Sequence, residues 1–336
     1  MLGFSKKETD RAEAVADNAV MQGRSLLADA RLRFRQNKAA MGSCVILGLI
    51  VAFVIIGPFF AVWDHETIDW TAMGDVVGLG APSIASGHYF GVDDLGRDLY
   101  SRTIQATQTS LLVGLIGAGM ALVVGTFYGI IAGYSGGRLD GLMMRFVDIL
   151  LAIPTTLVII LILVVAGKSF TTLFLALGAV SWLTMSRIVR GQTLALKSRE
   201  FIEAARAGGV SDAGIVTRHI LPNLAGVVIV YASLLVPDMI LAESFISFLG
   251  LGISEPNTSL GALIAEGAGT MAYGTIWQLL FPLFFYVTII ITMFFIMMNI
   301  FLAILGEAYS VTRAQLNEQR EQQVKTKKRG IVDYIR

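Results

Sequence analysis

Charge and cysteine are the two features that this sequence has least of. Only 15 % of its 336 residues are charged, whereas 55 % are hydrophobic; about a quarter of the residues of an ordinary soluble domain are charged. This balance excludes a soluble globular protein. The one cysteine, Cys44, excludes an internal disulfide framework. No basic patch with interleaved aromatic residues is present, so we expect no nucleic-acid partner.

Catalytic and metal-binding patterns are also missing. The three histidines, His65, His88 and His219, lie far apart and share no metal-ligand spacing, so we predict no metal. No nucleophile, base and orienting acid occur in a usable spacing, so we predict no catalytic residue. A Gly167-Lys168-Ser169 triplet resembles the end of a phosphate-binding loop, but Ile162 stands where its first glycine should be. We therefore expect no ATP hydrolysis by this chain. The first 40 residues have no apolar core, and we expect no cleavable signal peptide.

Long apolar runs dominate the remaining sequence. Each has roughly 20 or more residues, the length that a helix needs to cross about 30 Å of hydrocarbon. We predict an all-α polytopic membrane protein whose six spans are 42–63, 109–133, 143–166, 170–192, 222–246 and 277–305. The predicted domains are a cytoplasmic amino-terminal segment (1–41), a transmembrane domain (42–305) and a charged cytoplasmic tail (306–336).

The distribution of charge predicts the orientation. Lysine and arginine concentrate on the cytoplasmic side of membrane proteins. Bases precede the first span and follow the fourth: Arg24, Arg31, Arg33, Arg35 and Lys38, then Arg187, Arg190, Lys197, Arg199, Arg206 and Arg218. The segments Trp63–Gln108 and Pro237–Ile276 are instead rich in acids. We therefore expect both termini and the loop after the fourth span in the cytoplasm.

Small residues and prolines mark features within the spans. Gly125, Gly129 and Gly133 share one face of the second span and predict close approach of another helix. Pro154 and Pro237 are expected to interrupt the third and fifth helices, which membrane proteins tolerate.

The most polar stretch between two spans is Glu200–Asn223, which we call the EAA loop. Its triplet Glu203–Ala205 favours a helix with a low-profile surface, and the pair Gly208–Gly209 favours a helix end and a sharp turn. Ser211 is a candidate N-cap for a second short helix. Such a loop has the character of a docking element that moves the spans when it moves.

The EAA loop resembles that of permease subunits in bacterial ABC importers. The matching residues are Glu203, Ala204, Ala205, Gly209, Leu221 and Pro222, while His219 replaces the usual isoleucine. In that family the loop is the coupling helix that lodges in a cleft of the ATP-hydrolysing subunit. The resemblance therefore implies that these six residues contact an ATPase.

Further motifs resemble the OppC-type oligopeptide permease family over about residues 20–282. They are GHYFGVDDLGRDLYSR (Gly87–Arg102), MMRFVDILLAIP (Met143–Pro154), SWLTMSRIVRGQTLALKSREF (Ser181–Phe201) and ESFISFLGLGISEP (Glu243–Pro256). The resemblance implies a type I ABC importer permease fold in the bacterial cytoplasmic (inner) membrane. The implied partners are a second, OppB-like permease, two ABC ATPases that use ATP and Mg, an external peptide-binding protein and membrane lipid; the chain itself needs no cofactor.

Four charged residues are candidates for binding-protein docking or for an outer gate: Arg97, Asp98, Asp238 and Glu243. For Arg97 the alternative is a structural ion pair that fixes its loop. Asp238 and Glu243 are expected to turn toward water or a partner, because ionisable groups near a membrane usually do so.

The sequence after Pro282 departs from the OppC-type pattern. The stretch Phe284–Ser310 resembles the inner helix of polycystin-like cation channels, which leaves a channel-like or chimeric protein as the alternative function. One such helix supplies neither the several helices nor the filter that a channel needs. We therefore interpret Asn299 as an interhelical hydrogen-bonding residue, and we expect the tail Glu307–Arg329 to be a cytoplasmic helix or disordered.

Overall fold

The computed structural model describes residues 35, 37–73, 78 and 80–302. The predictions for residues 1–34 and for the tail lie outside the described residues, and the predicted domain division stays a prediction. The chain divides into two units, Ser43–Met297 and a second unit of Met1–Gly42 with Met298–Arg336. Within the second unit, the Asn37 side chain donates a hydrogen bond to Asn299 and also caps the first helix. Asn299 thus accepts a hydrogen bond from the residue that caps another helix, in agreement with its interpretation as an interhelical hydrogen-bonding residue.

The described residues form nine helices longer than one turn: α1 (Lys38–Ile56), α2 (Leu99–Ser135), α3 (Gly137–Leu151), α4 (Thr155–Ala166), α5 (Phe170–Lys197), α6 (Glu200–Ala207), α7 (Asp212–Phe248), α8 (Leu260–Thr270) and α9 (Trp277–Leu302). Five of them are long and apolar enough to cross a membrane, and a sixth span results if the bent pair α3–α4 counts as one. The described residues contain no strand beyond isolated bridges. The all-α polytopic prediction is confirmed.

The helix that contains the second predicted span begins before that span. Helix α2 starts at Leu99, where the carboxylate of Asp98 caps it by accepting a hydrogen bond from the backbone N–H of Ser101 at 2.8 Å. Two buried threonines in the first turns donate hydrogen bonds from their hydroxyls to backbone carbonyl oxygens of the same helix. Thr103 donates to Leu99 and Thr107 donates to Thr103, each at 2.7 Å. This stretch can therefore be both polar in sequence and buried in a helix.

The two prolines behave differently. Pro154 separates α3 from α4, which meet at a bend of 77°, as expected of a residue without a backbone N–H. Pro237, in contrast, is buried inside the continuous helix α7, so the prediction that it interrupts the fifth helix is wrong. On either side of it, Val236 and Ile240 pack closely on Gly114 of α2, and this packing supports the helix across the proline.

The predicted glycine face is a helix–helix contact between α2 and α5. A Cβ atom added to Gly125 would lie 2.6 Å from Cβ of Met185, and one added to Gly129 would lie 2.5 Å from the carbonyl oxygen of Ser186. At Gly133 the corresponding distance to the carbonyl oxygen of Arg190 is 2.9 Å. All three separations are too short for a side chain, so the packing prediction is confirmed.

The segment that departs from the family pattern contributes to the core of the Ser43–Met297 unit. Phe285 and Ile289 of α9 are buried. The ring centroids of Phe285 and Phe53 of α1 lie 4.5 Å apart, and Phe281 stacks on Phe90 at 4.1 Å. The first half of α9 therefore packs against α1 and the 61–98 segment that connects α1 to α2.

Candidate functional site

The EAA loop has the local structure that its sequence predicts. Helix α6 ends at the pair Gly208–Gly209, where Gly209 adopts a left-handed φ of 78°. The backbone N–H of Val210 closes the turn on the carbonyl oxygen of Ala205 at 3.1 Å. Ser211 then caps the next helix by accepting a hydrogen bond from the N–H of Gly214 at 3.3 Å. That second helix is not separate, because it is the first part of α7, which continues through a π-helical turn at Val216–Ile220.

Three isoleucines anchor this loop to the spans. Ile202 of α6 and Ile215 and Ile220 of α7 are fully buried in one cluster with Met185 and Val189 of α5. Burial of such a side chain stabilises a fold by about 1.5–3 kcal/mol. The loop is thus packed firmly against the helices that it connects.

Most of the six predicted coupling residues lie on the exposed surface of the loop. Glu203, Ala204, Gly209 and Pro222 are exposed, while Ala205 and Leu221 are half-buried. The structure therefore brings the six predicted coupling residues into one loop and leaves four of them at its surface. Their contact with an ATPase stays a prediction.

Phe201 is a surface feature of the same loop that the sequence analysis missed. Its side chain is 44 % exposed, although its neighbour Ile202 is fully buried. The signal in the sequence was an apolar pair at the start of a short polar helix, since two adjacent helical residues cannot both face one core. An exposed aromatic ring beside an alanine surface is suited to a protein contact.

The 61–98 segment, at the opposite end of α2, holds a buried histidine between two acids. The Nδ1 atom of His88 lies 2.9 Å from Asp98, and its Nε2 atom lies 3.2 Å from Asp69. The hydrogen bond from the Thr71 hydroxyl is the main cause that lowers the pKa of Asp69 to about 2. Burial raises the pKa of Asp98. The indole ring of Trp63 stacks on His88 at 4.8 Å, which closes this site.

Arg97 makes the structural ion pair that was its alternative interpretation. Its Nε atom donates to Asp93 at 2.7 Å, and its Nη2 atom donates to Glu255 at 3.0 Å. Burial disfavours the charge, but these two acids more than offset that effect and raise the pKa of Arg97. Arg102 also contacts Asp93 and lies 3.3 Å from Glu266. The network thus joins the 61–98 segment to α2, α8 and the loop before α8.

The four candidates for docking or gating lie in different surroundings. Arg97, Asp98 and Glu243 are at most 5 % exposed, whereas Asp238 is exposed. The carboxylate of Glu243 accepts hydrogen bonds from serine hydroxyls of α2 and α7: Ser110 at 3.3 Å, Ser244 at 3.2 Å and Ser247 at 2.6 Å. Three of the four side chains therefore hold the structure together from within. A role in docking or gating stays a prediction for all four.

One group of acids has a geometry that could hold a cation. Carboxylate oxygens of Asp93, Asp94 and Glu266 lie within 4.8 Å of one another, and such oxygens are the ligands that Mg²⁺ and Ca²⁺ prefer. Arg97 and Arg102 already contact Asp93, however. Their charges disfavour a divalent ion at the same oxygens, and the group fits an ion-pair network better than a metal site.

Residues 125–310, more than half of the chain, match the family described as binding-protein-dependent transport system inner membrane component. The chain belongs to this family. Residues 25–82 of the permease also match the N-terminal transmembrane domain of oligopeptide transport permease C. The fold is accordingly that of a type I ABC permease, as predicted.

Individual relatives are similar over most of their length. The permease is 49 % identical over 291 residues to the oligopeptide transport system permease protein OppC of Escherichia coli K12, covering 87 % of this chain and 93 % of the relative. It is 46 % identical over 285 residues to OppC of Haemophilus influenzae, covering 84 % and 90 %. The dipeptide transport system permease protein DppC of Bacillus subtilis is 39 % identical over 270 residues, covering 80 % and 82 %.

These matches bear on two predictions. The permease is a transport component and not an enzyme, as expected from its sequence. The family match runs to residue 310 and so includes α9, beyond the point after Pro282 where the sequence departs from the pattern. The comparisons give no support to the channel alternative.

Proposed function

We propose that the permease is one of two membrane-spanning subunits of an ATP-driven importer for oligopeptides. The observation that carries this proposal is the EAA loop. It presents an exposed, small-sided surface with Glu203 and Gly209, and buried isoleucines fix it to α5 and α7. The names of the relatives, which are oligopeptide and dipeptide permeases, support the cargo class.

The mechanism follows from where the loop is attached. When an ATPase bound to the α6 surface moves, α5 and α7 move with α6, because the buried side chains of Ile202, Ile215 and Ile220 pack the loop tightly against these helices. Closure of two ATPases on ATP favours one orientation of the pathway, and hydrolysis restores the other. ATP shifts this equilibrium only by as much as the two states differ in affinity for it.

The remaining components of the proposal follow the charge pattern. The EAA loop and both termini lie in the cytoplasm, on the basic side of the inner membrane. The 61–98 segment and the α7–α8 loop lie outside and receive peptide from a binding protein. The ion pairs of Arg97 and Arg102 give that outer surface a fixed shape, and Asp238 offers an exposed carboxylate. The partners are an OppB-like permease and two ATPases that use ATP and Mg and carry out the hydrolysis.

Uptake measurements with variants of the EAA loop test this function. In vesicles that contain the full complex, Glu203→Lys and Gly209→Leu should each abolish ATP-dependent peptide uptake, since both alter the surface offered to the ATPase. Gly209→Leu also places a branched side chain at a φ of 78°. Gly141→Leu is the matched control for Gly209→Leu, because it makes the same change at a glycine of α3 outside the EAA loop, where an added Cβ meets nothing within 4 Å. It should leave uptake near the wild-type rate.

Two results would overturn the proposal. Unchanged uptake by both loop variants would show that the loop does not couple the chain to an ATPase. Passive ion current through the reconstituted chain alone, without any ATPase, would favour the channel alternative. Membrane insertion of each variant, measured by protease protection, separates loss of coupling from loss of folding.

A further inference from the structure

The carboxyl end of α2 is fastened by a neighbouring helix. Helix α2 ends at Ser135, and its last carbonyls have no partner within the helix. The ammonium group of Lys197, the last residue of α5, donates a hydrogen bond at 2.5 Å to the carbonyl oxygen of Tyr134. The same ammonium lies 5.3 Å from the centre of the Tyr134 ring. Tyr134 therefore joins the ends of α2 and α5.

The hydroxyl of Tyr134 reaches both helices of the EAA loop. It donates a hydrogen bond at 2.5 Å to Oδ1 of Asp212, the first residue of α7. The Arg206 guanidinium of α6 interacts with the same hydroxyl, and this interaction is the main cause that raises the pKa of Arg206. One side chain is thus contacted by α5, α6 and α7; we call these four residues, Tyr134, Lys197, Arg206 and Asp212, the Tyr134 junction.

The junction links the EAA loop directly to α2. The Tyr134 ring packs on the same buried cluster that holds Ile202, Ile215 and Ile220. Among the described residues, the hydrogen bond from α2 to the EAA loop is the one that the Tyr134 hydroxyl donates to Asp212. The acceptor is a carboxylate, and hydrogen bonds to charged groups are shorter and stronger than neutral ones.

We propose that Tyr134 is a positioning residue that makes α2 move together with the EAA loop. Rigid attachment at this point transmits displacement of α6 to the carboxyl end of α2, and the contact of α2 with α5 carries it into the spans. The proposal rests on the proposed function, because it concerns the coupling between that loop and the pathway. It adds a residue outside the EAA loop to the coupling apparatus.

The test uses the complete importer complex in lipid nanodiscs. The measured quantity is the ratio of ATPase activity with binding protein and peptide to activity without them. Tyr134→Phe keeps the ring but removes the hydroxyl, and it should lower this ratio about fivefold, the lower end of typical coupling between sites. Asp212→Asn should lower it similarly, and the double variant should be no worse than either single one, because both changes break the same contact.

Tyr128→Phe is the matched control. Tyr128 lies on α2 less than two turns earlier, but its hydroxyl donates to the carbonyl oxygen of Met143 at 2.9 Å, outside the junction. It should leave the ratio unchanged. Recovery of all subunits in a pull-down of each variant shows that the complex still forms, so that a merely structural role of Tyr134, which would reduce recovery, is recognised.

The outcomes separate this inference from the function on which it rests. A wild-type complex without peptide-stimulated ATPase would refute the proposed function itself. If the wild type is stimulated and Tyr134→Phe is stimulated equally, the inference alone is overturned. An equal fall for Tyr134→Phe and Tyr128→Phe would likewise overturn it, since the effect would then belong to any tyrosine hydroxyl of α2.

Discussion

Single side chains in this permease often serve two contacts at once. Asp98 caps α2 through the N–H of Ser101 and also contacts the buried ring of His88. Glu243 is fully buried and binds serine hydroxyls on two helices. Asp140 accepts two hydrogen bonds from Arg190, both at 2.6 Å. Because such groups are costly to bury without partners, the partners decide whether each position is stable.

Replacement of Asp98 tests its two contacts separately. Asp98→Ala removes the cap, which costs about 1 kcal/mol, and leaves His88 without one buried partner, which costs about 1–3 kcal/mol. Asp98→Asn keeps an oxygen that can cap the helix and should lose less stability. Thermal unfolding in detergent, followed by circular dichroism, measures both variants. Equal losses for the two variants would show that capping contributes nothing at this position.

Residues that act locally could be predicted, and residues that act across the chain could not. The turn at Gly209 and the cap at Ser211 follow from positions within one short stretch, where backbone conformation limits the choice of residue. The partner of Arg97 at Glu255, in contrast, is 158 positions away. No local spacing encodes such a pair, and the same is true of Tyr134 and Asp212.

At the scale of the helices, the contact between α2 and α5 depends on the absence of side chains. Gly125, Gly129 and Gly133 let the two backbones approach, and Ser186 and Arg190 present carbonyl oxygens to the latter two. Packing of this kind replaces the hydrophobic driving force, which is weak between helices in lipid. The face of small residues was visible in the sequence because its period is that of a helix.

Substitution of Gly129 measures this contact. Gly129→Ala places a methyl group 2.5 Å from the carbonyl oxygen of Ser186, and overpacking of this kind costs about 1–3 kcal/mol. Gly119→Ala is the control on the same helix, since its added Cβ meets nothing within 4 Å; it should be neutral or slightly stabilising. A lower unfolding temperature for Gly119→Ala than for Gly129→Ala would contradict the packing account.

The boundaries of helices were less predictable than their number. The start of α2 was missed because Thr103 and Thr107 look like loop residues, although their hydroxyls bond carbonyls of the same helix. Pro154 was identified correctly as a break, whereas Pro237 was not a break at all. Tertiary packing decides whether a proline breaks a helix, and the sequence near a proline does not show how the helix packs.

For the whole molecule, we propose that the chain works only with ATPases and a second permease. Its family membership and its relatives of 46–49 % identity make it a transport component. Beyond Pro282, Phe285 of α9 stacks on Phe53 of α1, and both Phe285 and Ile289 are buried. The unusual sequence after Pro282 is therefore compatible with a permease.

Co-purification and ATPase stimulation of the complete complex test this claim most directly. The chain is expressed with an OppB-like permease and both ATPases, purified in detergent and reconstituted, and hydrolysis is measured with and without binding protein and peptide. The account predicts a stable complex whose ATPase activity rises when both are added. A chain that inserts into the membrane but recovers no ATPase would contradict it.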